Sequence, residues 1–487
     1  MKHRSRSALP AALLLFLFFL SSAAISASPA APPDTPPGRR IAALLAAFDA
    51  GTPDALRAFI TQNFAASAQK QVPLEDRVQR IGGMASDLGP LEFHSMRRAD
   101  GPEIAFLARS KKSGEWVEVG MMLEPAPGFG ILGLKFEQSE GPGEEIVRPL
   151  GSDAAVAERA GAYLQKLAEA GDFSGVVLVA KDGKPFFFEA CGLANRDFGV
   201  PNRKDTKFNL GSINKVFTQV AIAQLAAQGK LALSDTVRKH LPDYPSPVAD
   251  RITIQQLLTM ASGLGDFFGE KYDATPKSHL RELSDYLPLF VDQPLLFEPG
   301  TSRRYSNAGY VVLGLIVEKA SGQRYHDYVR EHVFLPAGMK DSDAYPQDAI
   351  VPNRAVGYTR EEEREQAKAP AGPPRVNIYA LPARSSSAGG GYSTASDLLA
   401  FDQAMRHDRL LPPVWTDWYY TDKSNVPAAT PVSKRRGGGG FAGGTAGVNS
   451  LIETDLDTGY TVIVLSNLDP PSAEKVGKQL RGWLGLR

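Results

Sequence analysis

The sequence predicts an α+β chain with two folded bodies, the larger being an antiparallel sheet flanked by helices and carrying a helical lobe. Three observations predict it. Helical patterns precede strand patterns in residues 38–138. Strand patterns stand at both ends of residues 151–487, with helical patterns between them. A polar, Gly/Glu-rich run, 139–150, separates the two regions and reads as a linker. A chain of 487 residues with 43 % apolar and 22 % charged residues is long enough and ordinary enough in composition for two globular domains.

Residues 1–30 stand apart from the fold. Lys2, His3, Arg4 and Arg6 form a basic start, Leu13 to Leu20 an apolar centre, and small residues run on to Ala27 and Ala30. This is the pattern of a cleaved secretory signal, so the protein is expected to be exported, periplasmic or secreted. No other segment reads as a membrane span. The formal net charge is zero, which gives no reason to expect nucleic acid or an anionic membrane surface as a partner. Cys191 is the single cysteine, which excludes an internal disulfide; at the end of a strand it reads as a small buried residue.

In the smaller body, Ala31 to Pro37 is a Pro/Ala-rich lead-in. Helix patterns follow over Ile41–Asp49, then from Thr52-Pro53 as N-cap and N1 with Leu56, Phe59, Ile60 and Phe64 inward, then from Pro73 with Leu74, Val78 and Ile81. Strands are expected over Glu103–Arg109, Glu115–Leu123 and Gly130–Glu137. This element order resembles the cone-shaped NTF2-like fold. His94 is isolated and reads as structural.

The larger body opens on a helix around Ala154–Ala170. Gly175–Ala180, the turn Asp182-Gly183 and Lys184–Ala190 read as a hairpin. Gly447–Thr454, Asp455–Gly459 and Tyr460–Asn467 read as another, followed by a last helix from Ala473. Glu361–Pro374 reads as an exposed excursion. The stretch Phe208–Lys215 leads into Val216, Phe217, Val220, Ala221, Ile222 and Leu225. Those positions cover most of a helix circumference, so the helix should be buried, with Gly229 as its stop. Ser212 then sits in the first turn, where free N–H groups favour negative charge. Lys215 lies one turn on, and a partly desolvated lysine there can act as a base toward the hydroxyl. Ser-x-x-Lys also occurs at Ser67–Lys70 and Ser472–Lys475. The first of these lies in a polar stretch and the second reads as an N-cap, so only the middle copy opens an apolar helix.

Two more stretches single out Ser212. Tyr305 and Asn307 lie on the turn entering the helix Ala308–Ala320. A phenol beside two basic groups can take a serine proton as phenolate, and an asparagine amide can bond both Lys215 and a substrate carbonyl. The run from Gly437 to Ser450 is glycine-rich and enters an edge strand, where a substrate can approach backbone N–H groups. Ser-x-x-Lys, Tyr-x-Asn and this strand together resemble the serine β-lactamase and penicillin-binding-protein superfamily, on its class C-like serine hydrolase branch. Leu257–Leu264, Gly389–Leu398 and Asp457–Tyr460 add to the likeness, which extends from about Ala160 to the C-terminus.

The resemblance implies a β-lactamase/transpeptidase-like fold. It also implies Ser212 as the acylated nucleophile, Lys215 and Tyr305 sharing acid and base work, and Asn307, Phe441 and Gly443 facing substrate. The N–H groups of Ser212 and Gly444 would form the oxyanion hole. Phe441 departs from the family, which has Lys or His there. A phenyl ring offers nothing to a substrate carboxylate, unless Lys434, Arg435 or Arg436 compensates. The resemblance implies an ester, a D-amino-acid peptide or an amide as substrate, with a β-lactam or non-catalytic peptidoglycan-peptide sensing as alternatives. No Gly-x-Ser-x-Gly elbow, His-Glu-x-x-His pair or phosphate-binding loop is present. No cofactor or metal is expected, and the partner is a small molecule or peptide.

Overall fold

The structure, a computed structural model, describes residues 31–98, 101–139, 141, 149–360, 373–421, 423–425 and 427–486. The expected signal, most of the expected linker and most of the 361–374 excursion lie outside the described residues. The chain divides into two compact units, Met1–Ile146 and Val147–Arg487.

In the first unit, α1 (Pro36–Ala50), α2 (Pro53–Asn63), α3 (Ala66–Gln71) and α4 (Leu74–Leu88) precede β1 (Leu91–Arg98), β2 (Glu103–Ser110), β3 (Trp116–Leu123) and β4 (Ile131–Ser139). The strands form an antiparallel meander in chain order. Thr52 caps α2 through its hydroxyl, which accepts from Ala55 N at 3.3 Å, and Pro53 stands at N1. Ile41, Leu44, Phe48, Leu56 and Ile60 pack on Phe106, Val119, Met121 and Ile131. Two elements were not expected. Strand β1 is bulged between Phe93 and Ser95 and again between Met96 and Arg98, which breaks the period-two pattern that would have revealed it. The polar stretch holding Ser67 forms the short α3, and Ser67 Oγ donates outward to Glu124 Oε1 at 3.2 Å.

The second unit is built on a five-stranded sheet. Its elements are α5 (Asp153–Ala170), β5 (Gly175–Lys181), β6 (Lys184–Cys191), α6 (Asn214–Ala227), α7 (Asn307–Ser321), α8 (Ala395–Arg406), β7 (Gly438–Thr445), β8 (Val448–Asp455), β9 (Tyr460–Ser466) and α9 (Ser472–Leu484), with shorter helices and strands between. The strand order is β7-β8-β9-β5-β6, antiparallel throughout. Asp182 and Gly183 both adopt positive φ, 49° and 74°, which suits the twist of the β5–β6 hairpin.

Alternation along β5 and β9 assigns the two faces. Val177, Val179, Val462 and Val464 face α5 and α9, against Val156, Leu164, Val476, Leu480 and Trp483. Val176, Leu178, Ile463 and Leu465 face the larger core of α6, α7 and α8. Burial on both faces explains the unbroken apolar run of β5. Helix α6 passes through that larger core, and Val216, Phe217, Val220, Ile222 and Leu225 are each at most 1 % exposed. Truncating one of these large side chains to alanine costs about 2–5 kcal/mol. The helix ends in a Schellman pattern: Lys230 N donates to Leu225 O, and Gly229 N, at φ 72°, donates to Ala226 O.

Ser472 is not the N-cap of α9. Pro471 holds that place without a side-chain bond, and Ser472 Oγ donates instead to Ser466 Oγ at 3.0 Å. No helix among the described residues is long and apolar enough to cross a membrane.

Candidate active site

Ser212 sits in a single 3-10 turn, Gly211–Ile213, immediately before α6 rather than inside its first turn. Gly211 has φ +50°, a conformation that only glycine adopts cheaply. Strand β7 crosses directly over this turn. A Cβ on Gly211 would lie 2.9 Å from Gly444 N, and one on Gly443 would lie 2.0 Å from Leu210 O and 2.8 Å from Ser212 N. All three distances are shorter than real side chains tolerate, so two glycines let the Gly211–Ser212 turn and the Gly443–Gly444 backbone approach closely. Ser450 secures the crossing, its hydroxyl donating to Leu210 O at 2.7 Å, while Asn449 Nδ2 donates to Gly443 O at 3.2 Å. From the other side, Leu210 N donates to Gly391 O at 2.7 Å and Gly390 N to Gly211 O at 3.1 Å.

Helix α7 supplies the next two groups. Its N-cap is Ser306, whose hydroxyl accepts from Gly309 N at 2.9 Å and donates to Gly265 O at 2.6 Å. Tyr305 precedes the cap and Asn307 follows it. Tyr305 is 51 % exposed, but its hydroxyl is 2.7 Å from Ser212 Oγ. Lys215 Nζ is 3.2 Å from Ser212 Oγ, 2.6 Å from Asn307 Oδ1 and 2.5 Å from Ala388 O. Ser212, Lys215, Tyr305 and Asn307, expected together from the sequence, are therefore in mutual contact.

Burial lowers Lys215 from its ordinary value to about 7, against the opposing charge of Asp266. At neutral pH a large share of the amine is thus unprotonated and able to receive a proton. Tyr305 moves the other way. Burial raises it, Asp266 raises it further, and only the Ser212 hydrogen bond acts against them. The sequence-based expectation of a phenolate is not met. Arg303 turns to the Ser424 hydroxyl, and the groups acting on Tyr305 are Ser212 and Asp266. Tyr305 is thus held as a phenol, and Lys215 is the group that gives up its proton more readily than its ordinary value allows.

Asp266 was not singled out in the sequence. Its Oδ2 accepts from Asn307 Nδ2 at 2.8 Å. The only signal for it was its place just after the Ser262-Gly263-Leu264 phrase, and a lone loop aspartate is too common to stand out.

Ser212, Tyr305, Asn307 and Gly444 line a cleft of about 330 Å³. Its far wall is aromatic: Phe267, Phe268, Tyr272 and Tyr286, with ring centroids 4.6–5.7 Å apart along the pairs Phe267–Phe268, Phe267–Tyr272 and Phe267–Tyr286. Two expected substrate-facing residues are elsewhere. Phe441 packs against the α6 core and lines a separate hollow with Ile213, Val216, Tyr420 and Lys423. The ring is partly buried there against the apolar side chains of Ile213, Val216 and Ile452. Gly443 lies beneath the cleft, filled against Leu210 and Ser212, and acts by permitting close approach. Arg435 does not replace the missing cation, because it is tied to Asp408 at 2.6 Å and Asp417 at 2.5 Å. The histidines stay structural: His326 bonds Ser385 O at 2.8 Å, and burial lowers it to about 4. Burial raises the Cys191 thiol to about 11, which keeps it protonated.

A serine at a helix start with a buried lysine, a second helix bearing tyrosine and asparagine, and an edge strand across both define the serine-dependent acyl hydrolases with this fold. Residues 160–484 match the family model described as Beta-lactamase, and the chain belongs to that family. It is 33 % identical over 293 residues to the esterase EstB of Burkholderia gladioli, covering 55 % of this chain and 74 % of that protein. It is 29 % identical over 328 residues to a penicillin-binding protein of Bacillus subtilis (strain 168), covering 62 % of this chain and 70 % of that one. A penicillin binding protein from Bacillus halodurans superposes with a TM-score of 0.58 at 31 % identity, over 66 % of this chain and 98 % of that one.

Two predictions follow from this geometry. Gly443→Ala forces a Cβ onto Leu210 O and should displace the Ser212 turn, lowering turnover by roughly 100-fold; initial-rate kinetics with a melting curve would measure it. Because the neutral amine is the base, the rate of Ser212 acylation should rise with pH through about 7 and then level off. A pH series of stopped-flow acylation rates checks this, and a rate that falls through that range would contradict it.

Proposed function

We propose that this chain is an exported serine hydrolase that forms an acyl-enzyme on Ser212, with neutral esters or amides carrying an apolar, often aromatic, acyl group as substrates. The observation that carries this reading is the triangle of Ser212 Oγ, Lys215 Nζ and Tyr305 OH, with sides of 3.2 and 2.7 Å at the serine and a lysine lowered to about 7. Export rests on the basic and apolar pattern of residues 1–30.

In acylation, the Ser212 proton passes to Lys215 Nζ as Oγ bonds the substrate carbonyl carbon. The carbonyl oxygen gains negative charge, which the N–H groups of Ser212 and Gly444 receive. As the carbon–leaving-group bond breaks, the departing oxygen or nitrogen takes a proton through the Tyr305 hydroxyl, which Lys215 restores. Water then attacks the acyl carbon, its proton follows the same path, and Ser212 is released with the acid. The aromatic wall offers an apolar acyl group a place to shed water.

No cation stands at position 441, and Arg435 is engaged elsewhere, so a carboxylate next to the leaving group finds no partner from either. This favours neutral substrates over β-lactams. The alternative of a non-catalytic peptide sensor rested on Phe441 alone, and that ring lines another hollow.

Ser212→Ala should abolish labelling by a fluorophosphonate probe and lower ester turnover by about 10⁴-fold or more. Ser67→Ala and Ser472→Ala should leave both nearly intact. Labelling that survives Ser212→Ala would end this assignment. Phe268 is 51 % exposed at the cleft, so Phe268→Ala should spare the fold. It should lower kcat/KM for a phenylacetyl or benzoyl ester relative to an acetyl ester by about tenfold. An unchanged ratio would place the acyl group away from the aromatic wall.

A further inference from the structure

We propose that Asp266 is a positioning residue of this site: it locks the Asn307 amide toward Lys215 and places a negative charge on the far side of that amide from the amine. The proposal rests on the reading of Ser212 as nucleophile.

Asp266 belongs to the loop after Ser262, ahead of the short helix Glu270–Ala274. It is half-buried, and among the described residues it makes no ion pair within 4 Å. Its two oxygens are already employed. Oδ1 accepts from Phe268 N at 3.2 Å, holding the loop in a turn of its own. Oδ2 accepts from Asn307 Nδ2 at 2.8 Å and, more weakly, from Asn307 N at 3.4 Å, at the buried start of α7. A carboxylate is favoured there by the unpaired N–H groups and the dipole of a helix. The Ser306–Gly265 bond ties the same loop to the same helix end.

This arrangement leaves the Asn307 amide a single orientation. With Nδ2 on the carboxylate, Oδ1 faces Lys215 Nζ at 2.6 Å and receives its hydrogen. A flipped amide would set carbonyl oxygen against carboxylate and NH₂ against the amine, losing both bonds. Asn307 in turn holds Lys215 beside Ser212, so the loop aspartate orders the base through one intermediary.

The charge argument is separate. Facing the Lys215 amine are Ser212 Oγ, Asn307 Oδ1 and the Ala388 carbonyl, the Tyr305 ring from the loop before α7, at 4.7 Å, and the Tyr310 ring of α7, at 5.5 Å. Among the described residues, Asp266 is the charged group that acts on it, and it opposes the effect of burial. Its removal should let Lys215 lose its proton at lower pH. A loop that merely supports the fold would affect rate without moving that titration.

The test uses the full chain with Asp266→Asn, which keeps the shape and removes the charge, Asp266→Ser as a smaller uncharged variant, and Asp266→Glu, which keeps the charge. Fluorophosphonate labelling of Ser212 and kcat/KM on a neutral p-nitrophenyl ester are followed against pH. The expected result for Asn and Ser is an acid limb moved down by roughly one pH unit. With it should come a kcat loss of about tenfold or more at the plateau, with KM changed by less than about twofold. Asp266→Glu should keep the wild-type limb. A limb that stays in place in whichever uncharged variant folds overturns the proposal, and so does a limb that shifts equally in the Glu variant. If the wild-type chain is not labelled on Ser212 at all, it is the underlying reading of the site that falls.

Discussion

The site depends on an amine placed where water cannot reach it. Lys215 enters the larger core on a helix that is apolar almost all round, and among the described residues three oxygens meet its nitrogen: Ser212 Oγ, Asn307 Oδ1 and Ala388 O. Each comes from a different part of the chain, so the helix start, the α7 end and the 385–391 segment must converge to hold one nitrogen. The convergence has a thermodynamic side. The unfolded lysine binds its proton up to about pH 10.4, while the folded one releases it near 7. Folding therefore opposes protonation. The resulting cost to stability is fully present below about pH 7 and disappears as pH rises toward the unfolded value. The fold accepts a less stable neutral-pH state in exchange for a base.

Backbone proximity is the second constraint. The cleft floor is made where β7 lies across the Gly211–Ser212 turn, at distances that forbid a side chain on Gly211 or Gly443. The glycines of this strand belong to packing as much as to access. That explains why Gly443, which a motif-based reading assigns to substrate, lies under the cleft. The same face of β7, two residues earlier, carries Phe441, and the apolar beginning of α6 beside it gives the ring a wall of its own.

Much of this was legible in the sequence. Ser212, Lys215, Tyr305 and Asn307 were found because spacing fixes them on helix starts, and the two hairpins at the ends of the larger region because their turns and β-branched runs are local signals. What escaped depends on tertiary placement. Strand β1 is hidden by two bulges, and the short helix around Ser67 by its polar composition. Asp266 is an ordinary loop residue until Asn307 arrives beside it. Phe441 has the right sequence position for a substrate contact and the wrong surroundings. Tyr305 stays a phenol because burial and the Asp266 charge, both set by tertiary placement, raise it.

The centre of the large sheet joins β9 to β5, with Ile463 opposite Leu178 and Val464 opposite Val177. Nearly the whole second unit lies between those partners in the chain. Contacts this distant in sequence are slow to form, because a long loop must close before any of them is rewarded. During synthesis, β5 and β6 leave the ribosome as a hairpin that only α5 can cover, with the other face open and the far edge of β5 unpaired until β9 appears. The helical lobe can gather around α6 and α7 earlier, but the platform under Ser212 is finished only once β7, β8 and β9 have followed them in the chain. For much of its synthesis the chain thus carries an unpaired, apolar strand edge, the kind of surface on which holding chaperones act.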